Sequence, residues 1–276
     1  MKNLYDRYSS LHYIPFRLTN LNTMVILLYD GSFEGLLTAI FEVFEYKFQD
    51  AEIVAEHHHQ ENFFAHIHHV VSDEEKSSRV LKKLEENLGK EGVSRLMLVY
   101  FSERNDLERL ILSAVKHSLK HPKENILQDF ANPDLMEISK ICKSVGREIH
   151  RMHAFVRFEK LQDEMFFAKI EPDFNVLPLI VNHFKARYAD QKWMIFDLKR
   201  HYGIVYDLKD VQFFYPDENQ LHSFRNSEQF HHDEEKAYQK LWQRYFVKTG
   251  IPERKNLKLH VQWLPKRYWK YLTEKF

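Results

Sequence analysis

The chain has 276 residues, 40 Lys+Arg against 40 Asp+Glu, and an apolar fraction of 44%. That composition belongs to a folded chain rather than a disordered or collagen-like one, and zero formal charge excludes a uniformly basic polycation. Seven glycines, where an average usage of about 7% gives roughly 19, argue against a glycine-rich phosphate loop, while 22 Phe and 14 Tyr supply core volume and stacking rings.

Residues 1–23 lack periodicity and are read as an N-terminal extension, with Met24 an alternative start. Met24–Tyr29 is a short apolar run ended by Asp30-Gly31, which predicts a buried strand and a turn. Ser32 caps a predicted helix with Phe33, Leu36, Leu37, Ile40, Phe41 and Phe44 on one face. Short strands are expected at Ile53–Ala55 and Asn62–Phe64. Ser72 or Asp73 opens a helix carrying Val80, Leu81, Leu84 and Leu88 and stopped by Gly89. Helices follow over 91–101 and 106–118, and Asn132-Pro133 starts another that carries Leu135, Ile138, Ile141, Cys142, Val145 and Ile149.

Beyond it the pattern changes. Ala154–Glu159 alternates and reads as a strand; Met165–Ile170 is a second; a helix runs from about Pro178 through Tyr188; Trp193–Leu198 and Gly203–Asp207 are two more strands, with Val211–Phe214 a further one. The fold class is therefore α+β, with helical segments around an antiparallel or mixed sheet and a strand–strand–helix–strand–strand core. A helix from Asp233 to Lys248 and a last one near 265–273 close the chain. The expected organisation is the extension 1–23, an α/β subdomain 24–100 and an α+β domain 101–276.

The single cysteine, Cys142, excludes an internal disulfide and any cysteine-built zinc or iron–sulfur cluster held by this chain alone, and it suits a reducing cytoplasm. No apolar run approaches the roughly 20 residues of a membrane span, so no membrane partner is expected, and no metal or cofactor site is assigned. His57, His58, His59, His66, His68 and His69 read as a solvated run, since neighbouring histidines on a strand point to different sides. Tyr29–Gly35 reads as a structural turn and cap, with Asp30 and Glu34 as an acidic pair facing a cleft in the functional alternative.

Three sets of residues carry the candidate chemistry. Arg147 and Arg151, and His150 and His153, share helix faces at the end of the 133–153 helix, where cations also suit the helix dipole. His150, His153 and Glu159 are the candidate acid–base groups, and Arg147 and Arg157 candidate phosphate contacts; Arg157 and Glu159 equally suit cross-strand pairing with Lys169 and Glu171. From Lys236 onward eleven basic residues face two acids, Glu253 and Glu274. Within that segment Lys236, Lys240, Arg244 and Lys248 recur every four residues, a basic column with a rise of about 6 Å between neighbours, opposite an apolar face of Tyr238, Leu241, Trp242, Tyr245 and Phe246. Trp263, Tyr268, Trp269 and Tyr271 interleave with Lys266, Arg267 and Lys270. Cations for a phosphate backbone beside rings for bases are what a nucleic-acid surface requires.

The segments MVILLYDGSFEGLLTAIFE (Met24–Glu42), GREIHRMHAFVRFE (Gly146–Glu159), IEPDFNVLPL (Ile170–Leu179), WMIFDLKRHYG (Trp193–Gly203), LWQRYF (Leu241–Phe246) and IPERKNLKLHVQWLPKRYW (Ile251–Trp269) resemble a bacterial domain of unknown function assigned to DNA metabolism and repair. The resemblance covers nearly everything from Met24 onward. It implies a partner, a radical-SAM DNA modification or repair protein, whose cluster needs three cysteines that this chain lacks. It also places Lys199, Arg200, Arg254, Lys266, Arg267, Tyr268 and Trp269 within family segments, and these join the nucleic-acid-binding candidates. The expected function is a DNA-binding component of a repair or modification system acting with that partner, with Tyr268 or Trp269 stacking on bases. The alternatives are a glycosylase- or hydrolase-like enzyme on damaged DNA, or an adaptor without catalysis.

Overall fold

The computed structural model describes residues 24–60, 65–122, 126, 129, 131–225, 231–249 and 257–275. The extension 1–23, the expected strand at Asn62–Phe64 and Arg254 lie outside them. The chain divides into two compact units, residues 1–82 and 83–276.

The first unit is built on a three-stranded parallel sheet in the order β2-β1-β3, with β1 at Val25–Tyr29, β2 at Ala51–Ala55 and β3 at His66–His69. All five β1 residues are buried, as expected of a central parallel strand. Helix α1 (Phe33–Glu45) makes the β1–β2 crossover that parallel pairing requires. Its Ser32 cap accepts from the Gly35 amide at 2.9 Å, and Asp30 in turn accepts from the Ser32 hydroxyl at 2.6 Å and the Ser72 hydroxyl at 2.8 Å. Asp30 is thus a brace for the turn. The histidine run is only partly solvated: His68 Nε2 meets the buried Glu42 carboxylate at 2.7 Å, and Lys76 shares that carboxylate at 2.7 Å. No group of three or more His, Cys, Asp or Glu able to hold a metal occurs among the described residues.

Helix α2 spans Glu74–Tyr100. Gly89 breaks it with φ +69, a left-handed conformation open to glycine, but the helix resumes beyond, so the expected stop is a kink.

In the second unit, α3 (Leu107–Lys120) packs on α4 (Pro133–Phe155), whose Asn132 cap accepts from the Asp134 and Leu135 amides at 2.9 and 3.4 Å. A mixed sheet follows in the order β4-β5-β6-β7-β8: β4 (Glu159–Lys160), β5 (Phe166–Ile170), β6 (Trp193–Asp197), β7 (Tyr202–Tyr206) and β8 (Val211–Phe214). Only the β5–β6 pair is parallel, with α5 (Leu177–Arg187) as its crossover. A Cβ on Gly203 would run into the Phe214 ring and lie 2.9 Å from the Ile195 carbonyl, so glycine lets β7 and its neighbours close up. Then come α6 (Glu218–Arg225), α7 (Glu235–Thr249), α8 (Leu257–Trp263) and 3₁₀ turns at Lys266–Tyr271 and Thr273–Lys275. No helix among the described residues is long and apolar enough to cross a membrane.

The strand expected at Ala154–Glu159 is corrected. Helix α4 continues through Phe155, and only Glu159–Lys160 pairs with β5. Six alternating residues are too short a signal against a helix still running. Arg157 reinforces the longer helix by donating to the Ala154 and Val156 carbonyls at 2.9 and 3.3 Å, serving carbonyl groups that a helix end leaves open. Helices α6 and α8 have no counterpart in the sequence reading.

Candidate nucleic-acid interface

Helix α7 turns an unexpected side toward the protein. At about 100° per residue, Glu235, Gln239 and Gln243 form its inner edge. Glu235 accepts from the Lys160 amide at 2.9 Å and from the Gln239 side chain at 3.0 Å, and Gln243 donates to the Thr273 carbonyl at 2.9 Å. Four residues of the apolar stripe are left outside: Tyr238, Leu241, Trp242 and Tyr245 are 55%, 64%, 40% and 58% exposed, while the Phe246 side chain lies outside the described set. Trp242 and Tyr245 stack with centroids 5.7 Å apart, and the Trp242 indole donates to Glu274 at 3.0 Å. The basic column Lys236, Lys240, Arg244 and Lys248 is exposed on the side of α7 turned away from most of the stripe, and none of the four pairs with an acid among the described residues.

The stripe forms one wall of an open groove of about 1170 Å³. The facing wall comes from the end of α4, from α5 and from β5–β6, and brings Phe158, Phe184, Tyr188 and Trp193 to the groove together with Arg157 and Lys160. Arg157 is held at 2.7 Å from Glu274 and lies 5.8 Å over the Trp242 ring. Burial works against the charge on Glu274, but hydrogen bonds from Arg157 and Trp242 outweigh it and keep that carboxyl below the usual range. The pairings expected for Arg157 and Glu159 across to Lys169 and Glu171 are therefore replaced: Arg157 goes to Glu274, and Glu159 to His231 at 3.0 Å.

His153 also lines this groove, stacked on His183 of α5 at 3.9 Å with a 15° tilt. The Nε2 atoms of both rings, and Nε1 of the buried Trp193, are buried without a hydrogen-bond partner among the described residues. Burial first, then His183 and His150, push the His153 imidazole below its ordinary value. His150, one turn earlier, faces a second concavity of about 680 Å³ between α4 and α8, lined also by Arg147, Arg151 and Trp263. The three acid–base candidates thus sit in three different settings: His150 in that concavity, His153 in the groove, Glu159 paired with His231.

Lys199, Lys266 and Arg267 meet in a third, shallower hollow of about 500 Å³ with Glu171 and Asp173. Arg267 reaches Asp173 at 2.5 Å, and Lys199 donates to the Asp173 carbonyl at 3.0 Å. Arg200 is committed to structure: its side chain is 9% exposed and binds Asp197 at 3.0 Å and Glu103 at 2.7 Å. Asp197 accepts from the Lys199 and Arg200 amides at 2.8 and 3.1 Å and so holds the β6–β7 turn; burial pushes its carboxyl up against the pull of Arg200. Tyr268 is 3% exposed, its hydroxyl donating to the buried Glu148, so its ring is core and not a stacking surface. Trp269 is half-buried and donates to the Leu264 carbonyl at 3.1 Å.

Glu148 is the residue the sequence reading passed over. It accepts from the Asp173 amide at 2.9 Å and from Arg151 at 3.2 Å, besides Tyr268 and Arg267. A signal was present: position 148 falls three after buried Val145 and four before buried Met152, on the inner stripe of α4. A carboxylate there needs partners, and the chain supplies them.

A search of curated proteins finds no match. The family model of DUF4130, a domain of unknown function, matches residues 103–274, well over half of the chain. The groove, the basic column and Glu148 all lie within that span, and the chain belongs to the DUF4130 family.

Proposed function

We propose that the chain is the DNA-binding component of a repair or modification system, and that it binds DNA with unpaired bases through the α7 groove. The observation that carries this reading is the exposure of Tyr238, Trp242 and Tyr245 on a helix whose opposite side carries four exposed cations without acid partners among the described residues. A globular chain normally buries such rings, and a large exposed apolar patch marks a binding surface. Stacking on rings requires bases that are free of their partners, whereas the phosphates need only positive charge. The radical-SAM partner remains part of the proposal on the strength of the sequence resemblance, and the single cysteine leaves cluster chemistry to such a partner.

Fluorescence polarisation with a labelled dT oligomer tests the reading. Four phosphate contacts on a single strand give a salt slope near −2.8, a loss of about 50-fold between 50 and 200 mM salt. Duplex of the same length is expected to bind more weakly. Equal affinity for both forms, or binding insensitive to salt, would remove the stacking role or the phosphate role respectively.

A further inference from the structure

The concavity between α4 and α8 carries more positive charge, with less compensation, than its role in the fold requires. Lys140, Lys143, Arg147, His150 and Arg151 line it from one face of α4, at spacings of three and four residues. No acidic residue is among the described residues that line it. Lys140 pairs with Glu137 at 3.2 Å and Arg151 with the buried Glu148, while among the described residues Arg147 hydrogen-bonds only to the Ser144 hydroxyl at 3.2 Å and Lys143 and His150 make no hydrogen bond or ion pair. Helix α8 is tied alongside through Arg151, which donates to the Gln262 carbonyl at 3.4 Å, and it presents Trp263, 61% exposed, to the same concavity.

Ala154 lines both this concavity and the α7 groove. It is exposed and small, so nothing on α4 walls one depression off from the other at that point. We infer that the two form one continuous track for a single nucleic-acid strand: bases lodge in the aromatic groove beside α7, and the adjoining phosphates pass over Ala154 onto the cationic face of α4, with Trp263 a further stacking ring. From Ala154 back to Lys140 the face extends about 21 Å. The occupant follows from charge and shape together. A run of cations without lining acids takes a polyanion, and its continuity with an aromatic groove favours one whose charges alternate with flat rings. This rests on the reading of the α7 groove as a DNA interface, and the two can fail separately.

The test compares labelled dT oligomers of six and fourteen nucleotides on the full chain. Wild type is expected to bind the longer strand at least about tenfold more tightly, because only that strand reaches the second set of cations. In the double variant Lys143→Glu/Arg147→Glu the ratio of the two affinities is expected to fall toward one. Ala154→Trp, which fills the junction without touching a charge, is expected to lower the ratio similarly, and it serves if the double variant fails to fold. If both variants keep the wild-type ratio while Trp242→Ala weakens both oligomers, the α7 interface stands and the track is overturned. Failure of wild type to bind either oligomer overturns both. Displacement of the longer strand by a poly-glutamate peptide at equal charge concentration would mark the α4 face as a protein-docking surface and overturn the inference.

Discussion

Helices α1 and α7 have similar sequence patterns and opposite fates. Each carries an apolar stripe at helical spacing. In α1, Leu36, Leu37, Ile40 and Val43 are buried. In α7, Tyr238, Leu241, Trp242 and Tyr245 face outward, and the inner edge is Glu235, Gln239 and Gln243. The difference lies in the composition of the stripe and in what the neighbouring chain offers. The buried residues of the α1 stripe are aliphatic, and the polar groups buried with them, Thr38 and Glu42, have fixed partners. Three of the four exposed α7 residues are Tyr or Trp, whose rings tolerate a half-wet setting, and the polar edge finds fixed partners in the Lys160 amide and the Thr273 carbonyl. Periodicity identifies an amphipathic helix, but it does not say which side faces inward.

The largest expected effect is on the buried side. Ile40→Ala should cost about 3 kcal/mol of stability, read from urea unfolding, since Ile40 is fully buried; a cost below about 1 kcal/mol would mean that α1 is not the core helix described. On α7 the main consequence moves from stability to binding. Trp242→Ala should lose only about 1 kcal/mol of stability, from the hydrogen bond to Glu274, yet weaken single-strand binding by about 1–3 kcal/mol. A large loss of stability with unchanged binding would make Trp242 a structural residue. Lys240→Glu with Arg244→Glu should leave thermal stability unchanged and flatten the salt slope by about 1.4, measured over a salt titration of dT binding; an unaltered slope removes the basic column from the interface.

The smallest effect concerns pH. The folded-state value of His153 lies below the ordinary 6.5, so as pH falls through about 6.5 the unfolded chain takes the proton first and stability declines. Above that pH His153 is neutral in the folded and the unfolded chain alike, and the penalty is absent. His153→Phe keeps a flat ring against His183 and removes the titration, so its melting temperature should fall less between pH 7.5 and 5.5 than that of the wild type. Identical pH dependence in the two proteins would place the acid sensitivity elsewhere.

Much of the fold was legible in local sequence. β1, the Ser32 cap, α4 from its Asn132-Pro133 start, and β5 to β8 follow from apolar runs, alternation and turn residues, because these signals report local backbone preference. The end of α4 was not, since Arg157 stabilises it through carbonyl contacts that alternation cannot encode. The site was legible in part. The charge surplus beyond Lys236 and the basic column on α7 were read from spacing. The fates of Arg200 and Tyr268 were not, because their partners Glu103 and Glu148 stand 97 and 120 residues away.

The sequence by itself determined an α+β chain with one cysteine, an acidic body and a basic, aromatic C-terminal segment, for composition and periodicity are properties of the chain. Tertiary structure alone decided which cations are spent in ion pairs, as Arg157 and Arg200 are, and which remain open to a ligand, as Lys143, Lys240 and Arg244 do among the described residues. It also decided that the rings of α7 line a groove while Tyr268 joins the core. A side chain's availability depends on what the fold brings against it, and long-range partners are set by packing rather than by neighbours in sequence.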